Sequence, residues 1–437
     1  MSFSELGLLP ELLTAITEQG YTTPTPIQQQ AIPLILARHD VLAGAQTGTG
    51  KTAGFTLPIL QLLSEKPALQ KHRPVRALIL TPTRELAMQV YESVQTYGKH
   101  TDLTSEVVFG GVNVKSQIKR LHQGADIIVA TPGRLLDLVN QRQINLAQVA
   151  HFVLDEADRM LDMGFIGDIR KIIALMPKKR QNLLFSATFA PEIKNLAQQL
   201  LHQPKQIQVT PTNSTVTAIS QLIYPLKQEY KREVLSYLIG SNQWKQVLVF
   251  VRTKHGADRL CKQLMADGIR CAALHGNKSQ NARVAALEAF KNGQISALVA
   301  TDIAARGLDI DQLPHVVNFD MPAVPEDYVH RIGRTGRAGN EGVAISLVTP
   351  EEGRLLFAVE RLLKQQLPRV ADTGYEPVTL LDLAPAKVDP RPRRHQAQNH
   401  NKKPTQAGDH PTSRQRVNTV ARKGNNTTRS SGGRRNG

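Results

Sequence analysis

Cysteine is nearly absent from this chain. Cys261 and Cys271 are the only two in 437 residues, and their spacing matches no metal site. A disulfide framework and a thiolate metal centre are therefore excluded as organising principles, and both residues read as small apolar fillers in a reducing compartment. Long hydrophobic runs are also missing. No stretch approaches the length of a membrane span, so no membrane partner is expected. The N-terminus MSFSELGLLP has an early acid and no basic n-region, which argues against a signal peptide and for the cytoplasm. Acids are scarce: 37 Asp+Glu face 54 Lys+Arg, a formal net charge of +17. The imbalance is local. Residues 391–437 hold twelve Lys/Arg against one acid, Asp409, and contain no Phe, Tyr or Trp. Such a segment cannot bury enough apolar surface to fold alone, and it reads as a basic tail suited to phosphate backbones.

What is present begins with a phosphate loop. Asp40–Ala43 reads as a short buried strand, and AQTGTGKT follows at Ala45–Thr52, comprising Ala45, Gln46, Thr47, Gly48, Thr49, Gly50, Lys51 and Thr52. Gly48 and Gly50 let the backbone curl so that its N–H groups point at phosphate oxygens. Lys51 supplies a point charge for the β and γ phosphates, and Thr52 a hydroxyl for Mg²⁺. A helix from Thr52 to about Leu63 presents its positive end to the same phosphates. About a hundred residues later VLDEAD, Val153–Asp158, places two carboxylates at the end of an apolar strand. Adjacent acids at a buried strand end are costly unless something uses them. A nucleotide-hydrolysing site does: Asp155 to hold the metal, Glu156 to orient the attacking water.

Short apolar runs mark buried parallel strands. In the first half these are Ala77–Leu80, Glu106–Phe109, Asp126–Ala130, His151–Leu154 and Asn182–Phe185. After a polar linker at 208–218 they resume at Gln221–Leu226, Gln246–Val251, Arg270–Leu274, Ala297–Ala300, His315–Asn318 and Val343–Val348. Strands alternating with helices imply an α/β chain of two doubly wound parallel sheets, with domains at 1–207 and 219–370 and a low-complexity tail at 371–437. The second half has no phosphate loop. It has HRIGRTGRAG, His330–Gly339, where Arg331, Arg334 and Arg337 recur every three residues. Arginines offered by a neighbouring domain act as fingers on a γ-phosphate, which puts a nucleotide in the cleft between the halves.

With these motifs in order, the chain resembles the DEAD-box ATP-dependent RNA helicases of superfamily 2, and within them the bacterial RhlE branch, over roughly residues 1–370. The resemblance implies two RecA-like domains, with ATP and Mg²⁺ as cofactors. Ala45, where a strict loop has glycine, lies within the family's range. Phe3 and GYTTPTPIQ, Gly20–Gln28, resemble the Q motif; Gln28 is implied to read the adenine edge and Tyr21 to stack on the base. PTRELA (Pro82–Ala87), Gly110–Gly111 and TPGR (Thr131–Arg134) resemble motifs that bring Arg84, Gly111, Thr131 and Arg134 to RNA phosphates. SAT, Ser186–Thr188, resembles the element that couples ATP to duplex opening through its hydroxyls, Ser186 and Thr188. In the second half VFVRTK, Val249–Lys254, resembles motif IV. Gln280 and Arg283 match a pair tied to RNA, and ATDIAARGLDI implies Thr301, Asp302 and Arg306 at RNA with Asp309 at the nucleotide. The fingers map to Arg334 and Arg337, and His330 is implied to bridge toward the acidic motif.

The implied activity is RNA-stimulated ATP hydrolysis driving local, non-processive opening of short duplexes. RNA, single-stranded or in short duplexes, is the implied partner, with little sequence preference because phosphate and sugar contacts dominate. Ribosomal or RNA-decay proteins are further expected partners. No heptads occur, so the core is expected to act as a monomer. Two alternatives stay open at this level: an ATP-gated RNA clamp or annealing factor, and a DNA-acting helicase of the same superfamily. Deleting 391–437 should weaken RNA binding and flatten its salt dependence, each lost phosphate contact removing about 0.7 from the slope of log K against log salt. Basal ATP hydrolysis should survive the deletion; an unchanged slope in a binding titration would refute a phosphate-anchoring tail.

Overall fold

The computed structural model describes residues 2–45, 49–66, 73–208, 219–305, 310, 313–336, 342–376 and 378. The expected linker and the tail from residue 379 lie outside them. Residues 1–386 form one compact unit, built on two all-parallel sheets.

The first sheet comprises β1 Val41–Gly44, β2 Ala77–Leu80, β3 Ser105–Val108, β4 Ile127–Ala130, β5 His151–Leu154, β6 Gln181–Ser186 and β7 Lys205–Gln208, in spatial order β3-β4-β2-β5-β6-β1-β7. Alternate residues of each central strand feed opposite faces, as the period of two requires. Val41, Ala43, Ala77 and Ile79 enter the core under the N-terminal helices; Leu42, Leu78 and Leu80 enter the core on the other face. Both faces are covered, which is why the central strands read as unbroken apolar runs. The exception is β7, KQIQ, an edge strand that buries only Ile207 and carried no apolar signature.

The second sheet comprises β8 Ile219–Pro225, β9 Val247–Phe250, β10 Cys271–Leu274, β11 Ala297–Ala300, β12 His315–Asn318 and β13 Gly342–Val348, in order β10-β11-β9-β12-β13-β8. Observed strands agree with the expected runs to within two residues at each end. The lobe extends further than the expected boundary at 370. Pro368 and Val370 hydrogen-bond either side of Ile223 on β8, Tyr375 stacks on Tyr230 at 4.7 Å, and Glu376 pairs with Lys227. The composition shift that marked the tail therefore begins after the last packed aromatic, not at 371.

Buried polar staples hold the first lobe at the N-terminal ends of its strands, opposite the functional loops. Asp40 accepts from the backbone N–H groups of Asn182 and His202, both at 2.8 Å. Asp126 takes Arg76 at 2.6 Å and Arg73 at 2.8 Å. His151 Nδ1 donates to Gln181 Oε1 at 2.9 Å, and Gln181 Nε2 donates to the carbonyls of Ile35 and His39. These buried polar groups are paired, and the functional loops leave the opposite strand ends.

Burial pushes His151 down to about 4, against the raising effect of its Gln181 bond. The folded chain therefore favours the neutral ring and binds fewer protons than the unfolded chain between the ordinary histidine value and about 4. The stabilisation is complete above that window and is lost as pH falls through it, by up to about 3 kcal/mol. Urea midpoints at pH near 7 and near 4.5 should fall further apart for the unaltered chain than for His151→Asn. Equal pH dependence of the two would refute this.

Candidate active site

The phosphate loop and the acidic motif leave the same end of the sheet, on strands separated only by β6. The order β1-β6-β5 puts the loop, the Ser186 turn and Asp155 at successive strand ends, about 4.8 Å apart per strand. Ala45 N–H donates to the Ser186 carbonyl and closes this edge. Gln46, Thr47 and Gly48 lie outside the described residues. Gly50 sits at φ +89°, and a side chain there would lie 2.5 Å from Gln28 Nε2, so the loop requires glycine at this point. The helix Lys51–Ser64 then starts one residue earlier than expected.

Lys51 is the strongest sign of what this pocket takes. Its ammonium is buried, stands 4.0 Å from Asp155 Oδ1 and has no hydrogen-bond partner among the described residues. An orphaned buried cation beside a glycine turn and a helix N-terminus fits a nucleotide's phosphates. Thr52, one residue on, is part-buried. Together with Asp155 it forms a donor set of oxygen ligands suited to Mg²⁺. Gln28 docks onto the loop itself: its Oε1 accepts from Thr25 N–H at 2.9 Å and its Nε2 donates to the Gly50 carbonyl at 3.1 Å. The described contact of Tyr21 is with the Tyr97 hydroxyl, on the last turn of the helix Arg84–Gly98, and its ring is half-exposed. The structure thus brings Gln28 to the loop.

Asp155 and Glu156 are buried to 2% and 4% exposure. Burial and the neighbouring Glu156 carboxylate raise Asp155 to about 6, against the Lys51 charge. Glu156 goes the other way. Burial would raise it, but Arg159, Lys51, Arg334 and His330 together hold its carboxyl below the ordinary range. Arg159 Nη1 donates to Glu156 Oε2 at 3.1 Å, and Glu156 N–H donates to Asp155 Oδ1 at 3.0 Å. Glu156 is also left-handed, at φ 53° and ψ 52°, directly before the helix Ala157–Asp162. A branched-free but non-glycine residue there stores about 1 kcal/mol or more of backbone strain, as functional positions often do.

Asp158, which the sequence pattern left without a role, is the acceptor that joins the acidic motif to the SAT turn. Its Oδ2 takes Ala187 N–H at 3.1 Å, Thr188 N–H at 3.0 Å and the Thr188 hydroxyl at 3.3 Å. The Ser186 hydroxyl donates to the Thr188 carbonyl at 2.8 Å and so shapes the turn. Its signal was available: a third acid in VLDEAD, at the motif's last position.

From the second lobe, Arg334 and His330 act on Glu156 across the cleft. Arg334 is 3% exposed, and His330 lies 3.9 Å from Asp327. Arg331 is no finger. It is buried, clasps Asp302 with two bonds of 2.5 and 2.7 Å, and donates to Asn318 Oδ1 and the Asp320 carbonyl. On the helix Pro325–Ile332 it faces the sheet, whereas Arg334 follows the Gly333 turn and is released toward the cleft. Arg306, Asp309 and Arg337 lie outside the described residues.

The residues expected at RNA divide into two groups. Arg84, at the start of its helix, packs against Gly111, whose φ of +78° and lack of a side chain admit the guanidinium. Thr131 stands at the N-cap position of the helix Pro132–Asn140 without a side-chain cap bond, and Arg134 reaches the Val112 carbonyl at 3.4 Å. Thr301 follows β11 and is part-buried. These line the loop ends of their sheets. Gln280 and Arg283 instead cross to the first lobe: Arg283 Nη2 lies 2.9 Å from Glu85 Oε2, and Gln280 Nε2 donates to Glu85 Oε1 at 3.2 Å. Both ends of the ion pair are buried, so this pair is spent on holding the lobes together and offers no open phosphate contact. Glu85 was missed because its partner is 198 positions away in the chain.

Two domain families match this chain: the DEAD/DEAH box helicase domain over residues 25–196 and the helicase conserved C-terminal domain over residues 230–339. The ATP-dependent RNA helicase CshA of Limosilactobacillus reuteri is 44% identical over 378 residues, covering 86% of this chain and 75% of that protein. The DEAD-box ATP-dependent RNA helicase RhpA of Helicobacter pylori (strain B128) is 43% identical over 366 residues, covering 84% and 73%. Among solved structures, S. cerevisiae Dbp5 bound to RNA and ADP BeF3 superposes with a TM-score of 0.75 at 35% identity, covering 85% of this chain and 96% of that one.

The Glu85–Arg283 pair predicts a measurable opening. Leaving a buried guanidinium uncompensated costs about 3–5 kcal/mol, so Glu85→Ala should let the lobes part and hydrate it. Small-angle scattering should show a larger radius of gyration for Glu85→Ala than for the unaltered chain. Identical radii would show that this pair does not hold the lobes.

Proposed function

The chain belongs to the DEAD-box ATP-dependent RNA helicases, and on that premise we propose how its own residues carry the activity. The observation that carries the reading is Glu156, buried in a left-handed backbone with Lys51 and Arg159 on its own lobe and Arg334 and His330 on the other. Only a closed cleft brings partners from both lobes to this carboxylate. Hydrolysis is then licensed by closure, and closure requires a ligand that spans both lobes.

Lys51 and the loop N–H groups hold the β and γ phosphates, Thr52 and Asp155 hold Mg²⁺, and Gln28, docked on Gly50, reads the adenine edge. Bound Mg²⁺ supplies charge neutralisation on the phosphate oxygens. Glu156 accepts the proton of the attacking water, and Arg334 complements the charge that develops on the transferred phosphoryl group. Arg337 and Asp309 join this set as proposed residues. Asp158 passes the state of the acidic motif to Thr188. Glu85, Gln280 and Arg283 make the lobes close as a unit, while Arg84, Gly111, Thr131, Arg134, Thr301 and Arg306 grip RNA.

We infer local unwinding of short duplexes. Opening one base step costs about 1.4 kcal/mol, so one closure event can displace only a few. The greater likeness to Dbp5 bound to RNA and ADP BeF3 (TM-score 0.75) than to Dbp5 bound to Gle1 and IP6 (0.67) supports reading this arrangement as the closed one. RhlE-like placement, a role in ribosome assembly or RNA decay, a cytoplasmic monomer, and a first domain over 1–207 with a second starting at 219 belong to the same proposal. Among the described residues no helix is long and apolar enough to cross a membrane.

ATP hydrolysis should rise strongly with single-stranded RNA, not with DNA, and Glu156→Gln should abolish turnover while still binding ATP. Equal stimulation by both polymers would sink the RNA assignment. Stimulation by neither would point to a nucleotide-gated clamp.

A further inference from the structure

The last helix of the second lobe, Gly353–Leu363, buries Leu356 and Val359 against the sheet. At 100° per residue its opposite side carries Arg354, Phe357 and Arg361 within an arc of about 60°, with Lys364 at the cap beyond. Phe357 is 50% exposed, and Arg354, Arg361 and Lys364 are exposed. No carboxylate pairs with these three cations among the described residues. The acids nearby are already taken: Glu360 by Arg369 at 2.5 Å, and Glu352 by Lys231 and Arg252. Glu351, one turn before Arg354, is exposed and is the one acid at that end.

Folding does not account for this face. A cation in the first turn, Arg354, opposes the helix dipole, and Glu351 offsets that only at the tip. A half-exposed phenylalanine is a poor helix former that adds no core. An aromatic ring set between unpaired arginines about 10 Å apart along the axis is the arrangement that grips single-stranded nucleic acid: the ring stacks a base and the cations take the flanking phosphates. Charge sign decides among occupants. A second copy of this chain would bring its own cations to meet these, since the body and the 391–437 segment are both net basic.

We propose that Arg354, Phe357 and Arg361 form an accessory site for single-stranded RNA, the strand flanking the duplex on which the core acts. The inference rests on the RNA-helicase reading above. Binding of labelled 10- and 30-nucleotide single-stranded RNA to the full chain, across a salt series, tests it. Phe357→Ala should weaken binding of the longer RNA by about ten-fold and leave the 10-mer nearly unchanged. Arg354→Gln with Arg361→Gln should lower the salt slope by about 1.4, two phosphates at about 0.7 each. Hydrolysis without RNA should be the same in all variants, which also reports that the fold is intact. Unchanged affinity and slope for the longer RNA would overturn the proposal. A shift in oligomeric state with the same RNA affinity would overturn it in favour of a second copy. Failure of the unaltered chain to bind RNA at all would instead refute the functional reading on which it stands.

Discussion

Two carboxylates buried side by side at the end of one strand are the constraint from which the rest of this molecule follows. Asp155 and Glu156 are both nearly inaccessible, and like charges so placed repel unless cations answer them. The first lobe answers with Lys51 and Arg159, the second with Arg334 and His330. A chain that gathers its counter-charges from both sides of a cleft has tied the electrostatics of its reacting centre to the position of its lobes. The left-handed backbone at Glu156 holds a strained residue at this centre, directly before the helix that carries Arg159.

Around that centre, contacts join the acidic motif to the Ser186–Thr188 turn and the first lobe to the second. Asp158 binds the Thr188 turn with three hydrogen bonds, so a shift in the acidic motif is felt on β6. Glu85 sits in a motif that also carries Arg84, and its buried bonds to Arg283 and Gln280 join the two lobes. Arg331, spent on Asp302 and Asn318, fixes the loops after β11 and β12 relative to each other, and with them the turn that releases Arg334. Asp40, Asp126 and Gln181 staple the opposite strand ends.

Much of this was legible in the residues. Strand runs such as Ala77–Leu80, Ala297–Ala300 and His315–Asn318 agree end for end with the observed strands, because strands buried on both faces must be continuously apolar. The edge strand β7 escaped notice for the converse reason: one buried isoleucine is enough at an edge. Arg331 was indistinguishable from Arg334 by spacing, because period three does not say which side of a helix meets the sheet. Gln280 and Arg283 stood out in the sequence through the motif they sit in, but Glu85, the partner they meet, did not.

What the sequence by itself determined is the local chemistry: a glycine-rich run, a lysine and threonine at the start of a helix, two acids at a strand end, and a strongly basic C-terminal composition without aromatics. These depend on neighbours in the chain, so spacing and residue type suffice. Only the tertiary structure decided which charges meet. Glu156 with Arg334, Glu85 with Arg283, and Asp158 with Thr188 are pairings across long separations. Coulomb and hydrogen-bond energies depend on distance and burial in space, which no one-dimensional pattern carries.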